Sequence, residues 1–155
     1  MNGATPPPLR HVFTAHVTVG PVRILGPIGT GARRIIPILG GTVTGPRLTG
    51  TVLDGGADWQ IIRPDGTAAL VARYALRADD GTLISVVNRG LRRGTPEVLA
   101  RLAAGESVAA SEYYFRASPT FEAPPGPHAW LMDHVFVATG ERRAGQVVIT
   151  VFALG

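Results

Sequence analysis

Asp58, Arg116, Glu122 and His134 have the side chains and the settings that acid–base chemistry on a small molecule needs. Asp58 stands between the Asp54-Gly55-Gly56 turn and Trp59. There it can be a general base with a pKa raised by burial, or it can cap the turn through backbone amides. Arg116 shares a strand face with Tyr114, and Glu122 follows just beyond Pro119. An arginine and a carboxylate meeting at a barrel mouth can orient a polar substrate head, or they can form a structural ion pair. In WLMDHVFVA (Trp130–Ala138), period-two alternation puts Trp130, Met132, His134 and Phe136 on one face. If that face lines a lumen, His134 is the titratable group of an aromatic and apolar wall and can carry a proton near neutral pH. The alternative is an outward or hydrogen-bonded structural histidine.

Other residues offer binding rather than proton transfer. Arg47, after Gly45-Pro46, and Arg73, beside Tyr74, can supply positive charge for an enolate or carboxylate, or can be solvated surface arginines. With the aromatic Trp59, Tyr74, Tyr114, Trp130 and Phe136 and the apolar Met132, they make the expected substrate-binding set. The histidines do not suggest a metal: the odd spacing of His11 and His16 sends them to opposite faces of a strand, and His128 and His134 lie in separate contexts. No serine sits in a G-x-S-x-G elbow, and GPIGTGARR lacks the spacing of a phosphate loop. Neither metal nor cofactor is expected.

Composition narrows the field further. The absence of cysteine removes disulfides and thiolate catalysis, and makes a reducing compartment, the cytoplasm, the expected location. MNGATPPPLR lacks a basic segment followed by an apolar core, and no apolar run is long enough to span a membrane. The net charge of +4 comes from 15 arginines without a lysine. The pairs Arg33–Arg34, Arg92–Arg93 and Arg142–Arg143 are spread along the chain, and nothing resembles a basic helix or an aromatic RNA-binding motif, which argues against nucleic acid.

The elements that must position these residues are strands. At 155 residues the chain suits one domain, with residues 1–9 as an extended tail and 10–155 as the folded unit. Between Gly40 and Gly90, short β-rich runs alternate with glycine, proline and Asp-Gly turns. Strands are expected over His11–Val19, Val22–Leu25, Arg34–Leu39 with Gly41–Thr44, Arg47–Leu53, Asp58–Ile62, Thr67–Ala78, Thr82–Arg89, Glu112–Ala117, Trp130–Ala138 and Gln146–Leu154. Pro37 reads as an edge or bulge, and FEAPPGPH as an irregular loop. Thr95 caps one helix, Pro96–Ala104, which is too short to stand alone. So many strands avoid exposed edges in a closed or nearly closed, mainly antiparallel barrel. The last strand, Val147–Phe152, is apolar on both faces, and with a charged fraction of only 17% this points to a homodimer or higher homo-oligomer.

The ordered blocks GGTVTGPRLTGTVLDGGADWQIIRPDG, YALRADDGTLISVVNRG, EYYFRASPTFEA and WLMDHVFVATGER resemble the DUF3237 (UPF0311) family of small β-barrels, from about Arg10 to Leu154. The resemblance implies a calycin or allene-oxide-cyclase-like barrel whose lumen holds a small apolar molecule. One departure is Trp130-Leu131-Met132, where relatives tend to have Trp-Leu-Asn. The function so implied is a cofactor-independent isomerase, cyclase or lyase acting on a polyketide-like or aromatic molecule. The other reading is a lipocalin-like binding protein without turnover, in which the same polar groups only orient the ligand.

Overall fold

Alternation and turn chemistry close the chain into a barrel. The computed structural model describes residues 3–155. Strands run over β1 (Leu9–Val19), β2 (Arg23–Ile28), β3 (Gly31–Thr44), β4 (Gly50–Val52), β5 (Gly56–Ile62), β6 (Ala68–Ala78) and β7 (Leu83–Arg93). The helix α1 (Pro96–Ala103) follows, then β8 (Tyr114–Glu122), β9 (Val135–Arg143) and β10 (Gln146–Leu154). All pairings are antiparallel, in the order β1-β10-β9-β8-β7-β6-β4-β3-β2, with β5 also joining β6 to β3 and β1 pairing back onto β3. The β1–β3 ladder closes an eight-strand antiparallel barrel. β2 is left pairing only β3, as an arm beyond the closure.

Several expected boundaries are corrected. Trp130 does not begin a strand: Ala129–Met132 is a 3-10 turn and β9 starts at Val135. The expected strand face of Trp130, Met132, His134 and Phe136 is therefore not formed, although the rings of Trp130, His134 and Phe136 still meet with centroids 5.9 to 6.2 Å apart. β8 runs straight through Pro119 to Glu122, while Arg47–Leu53 shrinks to the three residues of β4. β3 is continuous through Pro37, whose carbonyl accepts from the Gly20 amide at 2.9 Å. In extended backbone the N–H and C=O of one residue point the same way, so the missing donor falls where β1 has already ended. Within the tail, residues 3–8 carry no regular structure; Met1 and Asn2 lie outside the described residues.

The interior has two unlike halves. At one end Phe13, Phe121 and Phe136 meet edge to face, with ring centroids 5.8 Å and 5.0 Å apart, and Leu76, Ile84 and Leu131 are fully buried in the same core. A bulge in β1 between His11 and Phe13 lets the successive residues Val12 and Phe13 both be buried. Along the same strands toward the other end the inward residues become smaller or polar and a cavity opens. Gly140 is what lets Phe115 lie there, since a Cβ at that position would sit 2.5 Å from its ring.

The outer face of β10 is partly covered within one chain, with Thr150, Phe152 and Leu154 half-buried. Val148 is 7% exposed within one chain, flanked by His16 of β1 and Glu141 of β9. Among the described residues no helix is long and apolar enough to cross a membrane.

The helix follows the sequence closely. Thr95 accepts from the Val98 amide at 3.2 Å through Oγ1, Pro96 stands at the first helical position, and Leu102 is buried with Val98 and Leu99 against the core. Thr95→Ala leaves that amide without its partner and should lower the unfolding free energy by ~1 kcal/mol, read as a shift of the urea midpoint. An unchanged midpoint would show that the cap contributes nothing.

Candidate functional site

The cavity is built by inward positions of successive strands. Registered pairs bring Arg34 opposite Gln60 and Ile36 opposite Asp58 across β3–β5, then Asp58 opposite Ala72 and Gln60 opposite Leu70 across β5–β6. Ala72 faces Asn88, and Ala68 faces Arg92, across β6–β7. Arg92 in turn faces Phe115 of β8. Arg142 of β9 lies beside Val147 of β10, and Val17 of β1 completes the ring. The cavity measures ≈ 40 Å³ and is walled mainly by aliphatic side chains, with Asp58, Gln60, Tyr74, Asn88, Arg92 and Arg142 as its polar lining.

These polar groups are organised by one chain of hydrogen bonds. Arg34 Nε donates to Gln60 Oε1 at 2.7 Å, and Gln60 Nε2 donates to Asp58 Oδ2 at 2.7 Å. Gln60 is 1% exposed, so with both ends of its amide engaged its orientation is fixed. Asp58 Oδ1, Asn88 Oδ1 and Arg92 Nε are shielded from solvent and have no hydrogen-bond partner among the described residues. Such atoms are uncommon in folded proteins and call for a ligand or a water.

Burial governs the titration of the site. Removal from water pushes the Asp58 carboxyl above its ordinary value, and this outweighs the Gln60 hydrogen bond and the nearby Arg92, Arg34 and Arg142 charges, which act to lower it. Burial pushes Arg92 down to about 10, helped by Arg142 and Arg34. The same effect, with Arg142 adding to it, lowers Arg34. The Tyr74 phenol is pushed up by burial and by the Asp58 charge, so it is a hydroxyl donor at any physiological pH. A carboxyl, a phenol and guanidiniums in an apolar lumen can pass a proton and stabilise negative charge.

Of the residues expected from sequence, Asp58 and Tyr74 line this cavity. Asp58 lies within β5 facing inward, so the turn-capping alternative does not describe it. Phe136 is buried in the aromatic end instead. Trp130 is half-buried near that end with the Arg47 guanidinium 4.1 Å over its ring. His134 is exposed, its Nδ1 2.9 Å from the Trp130 carbonyl, and Met132 is 51% exposed. Arg116, Tyr114 and Glu122 occupy the outward positions of β8, where the Arg93 guanidinium lies 4.5 Å over the Tyr114 ring. Trp59 and Arg73 are also on the outside, Trp59 near Arg33. The expected meeting of Arg116, Glu122 and His134 at the lumen is therefore corrected, because alternation in β8 gives the interior to Phe115, Ala117, Pro119 and Phe121.

Arg34, Gln60, Asn88, Arg92 and Arg142 were missed by sequence reasoning. The signal was the doubled arginines: two adjacent residues on a strand face opposite ways, so one of each pair must turn inward. Arg34, Arg92 and Arg142 do so, while Arg33, Arg93 and Arg143 turn to Trp59, Tyr114 and Glu141.

Comparison with known proteins agrees with this architecture. A family model described as a protein of unknown function, DUF3237, matches residues 7–154. A UPF0311 protein of Rhodopseudomonas palustris is 47% identical over 142 residues, 92% of this chain and 93% of that protein. A crystal structure of a beta-barrel like protein from Acinetobacter baumannii superposes with a TM-score of 0.86 at 37% identity, covering 100% of both chains. A hydroalkoxylation enzyme of Penicillium herquei is 34% identical over 82 residues, 53% of this chain and 54% of that one. The crystal structure of an enzyme from the same organism shares the fold, with a TM-score of 0.75 at 20% identity over 100% of this chain and 99% of that one.

The raised pKa of Asp58 carries a stability consequence. The folded state holds the Asp58 proton more tightly than the unfolded chain does, so ionised Asp58 disfavours folding. That penalty is full above the folded pKa and is relieved as pH falls through it toward the ordinary 3.8. Relative to Asp58→Asn, the wild type should therefore gain stability as pH is lowered through that window, as measured by urea unfolding at a series of pH values. A difference that is flat in pH, or that grows the other way, would contradict the burial argument.

Proposed function

The chain belongs to the DUF3237 family, and on that footing we propose that its lumen is the active site of a cofactor-independent isomerase, cyclase or lyase in which Asp58 carries the proton. The observation behind this reading is Asp58 Oδ1, shielded from water and without a partner, on a residue that lines a mainly apolar cavity. Gln60 pins Oδ2, so Oδ1 is the oxygen that can exchange a proton with a substrate. A carboxyl whose pKa is raised by burial holds a proton more readily than an ordinary surface aspartate and so is better suited to act as an acid.

The likeness to a hydroalkoxylation enzyme favours the cyclase form of this chemistry. Hydroalkoxylation adds an O–H across a C=C bond: a C–O and a C–H bond form as the O–H and π bonds break. The proton that leaves oxygen and the proton that reaches carbon can both pass through one carboxyl. Isomerisation and elimination need the same two transfers in a different order. Tyr74, lining the cavity as a neutral phenol, can donate to the oxygen on which negative charge develops. A cavity of ≈ 40 Å³ accepts a small substrate or the reacting edge of a larger one.

The test uses a panel of alkenols and alkenyl phenols able to close an oxygen ring, with products separated by chromatography. Asp58→Asn keeps the shape and the Gln60 contact but cannot carry the proton, so turnover should fall by about 10²–10⁴-fold with binding retained. Equal turnover in wild type and Asp58→Asn would remove Asp58 from the chemistry. Binding by the wild type without any turnover of the panel would favour a binding barrel.

A further inference from the structure

Resting on the reading of the lumen as a substrate site, we propose that the substrate is an organic anion whose negative group, a carboxylate, phenolate or enolate, is seated by the Arg92 and Arg142 guanidiniums. The lumen sets Arg92 and Arg142, with Arg34 behind Gln60, against the single carboxyl of Asp58. Arg34 is already committed through Nε to Gln60. Arg92 is 7% exposed, and its buried Nε has no partner. The ion pairs among the described residues join Arg101, His128 and Arg143 to carboxylates, and none of them includes Arg92 or Arg142.

A guanidinium taken out of water is costly unless an anion with good geometry meets it. Here the fold removes Arg92 from water and supplies no anion of its own within ion-pair distance. The neighbouring Arg142 adds repulsion rather than relief. Arg142 is also held in place, since its backbone amide donates to the Tyr113 hydroxyl at 2.8 Å. A planar fork of N–H donors suits a carboxylate or a delocalised oxyanion better than a neutral carbonyl. Phe115, across the β7–β8 ladder from Arg92, and the aliphatic wall of Val17, Ile36 and Leu70 suit the apolar body that would carry such a group.

Calorimetry with benzoate and its neutral isostere benzamide tests the inference directly on the wild type. Benzoate should bind at least about tenfold more tightly than benzamide, and Arg142→Gln should remove most of that preference while leaving benzamide unchanged. Arg142 is less buried than Arg92, so this variant keeps the test open should Arg92→Gln fail to fold. Equal affinity for the two probes, or no benzoate binding, would overturn the proposal. Asp58→Asn separates it from the catalytic reading. Removing the one negative charge should keep or tighten benzoate binding while turnover is lost. Loss of turnover without anion preference sinks the anion site alone; anion preference with full turnover in Asp58→Asn sinks the proton-carrier reading alone.

Discussion

A barrel lumen lined by aliphatic side chains is a poor place for charge. An ion moved there from water loses several kcal/mol of solvation that only close partners can return. The Arg34–Gln60–Asp58 chain of hydrogen bonds is how this protein keeps charge in such a place. Gln60 is the middle of that chain: it presents its acceptor to a cation and its donor to a carboxylate, so a single neutral amide links the two without bringing them into contact. The register of β3 against β5, which sets Arg34 opposite Gln60, is therefore what orients Asp58. With Oδ2 held, the remaining oxygen is buried without a partner.

The rest of the barrel makes that arrangement possible. The edge-to-face phenylalanines at the opposite end supply close packing and bury large apolar area, so the polar half need not carry the stability of the fold. Closure through the β1–β3 ladder removes the edges at which a shorter sheet would open to water. The bare Gly140 backbone gives Phe115 the space to wall the cavity beside Arg92.

How much of this was legible in the sequence depended on range. Features that a few neighbouring residues decide were readable: the Thr95 cap, the Pro96 start, and the Asp-Gly turn at residues 79–81, where the Gly81 φ is +88°. Alternation divides β6 and β7 into two faces each, but the burial of Leu70 and Leu76 in β6 and of Ile84, Val86 and Asn88 in β7 depends on which face the barrel encloses. Trp130–Ala138 failed because two apolar runs separated only by Asp133 and His134 read as one strand, while Trp130 and Leu131 instead form a 3-10 turn that packs against the core. The site itself was harder. Asp58 and Tyr74 could be named, but the convergence of Arg34, Arg92 and Arg142 depends on registers between strands far apart in sequence, which no local pattern carries. Glu122 and Arg116 looked chemical because their types suit chemistry; one residue's shift of parity in β8 would have made them so.

The central claim is that this carboxyl is kept out of water beside guanidiniums that do not neutralise it, which leaves it able to hold a proton where a surface aspartate would have lost it. The direct measurement is a titration of the Asp58 carboxyl carbon by ¹³C nuclear magnetic resonance, assigned by comparison with Asp58→Asn. The account predicts a midpoint above the ordinary 3.8, because loss of hydration outweighs the pull of Arg92, Arg34 and Arg142. A midpoint at or below 3.8 would mean that the arginines dominate, that Asp58 is a permanent carboxylate, and that the lumen is a charge-paired structural core.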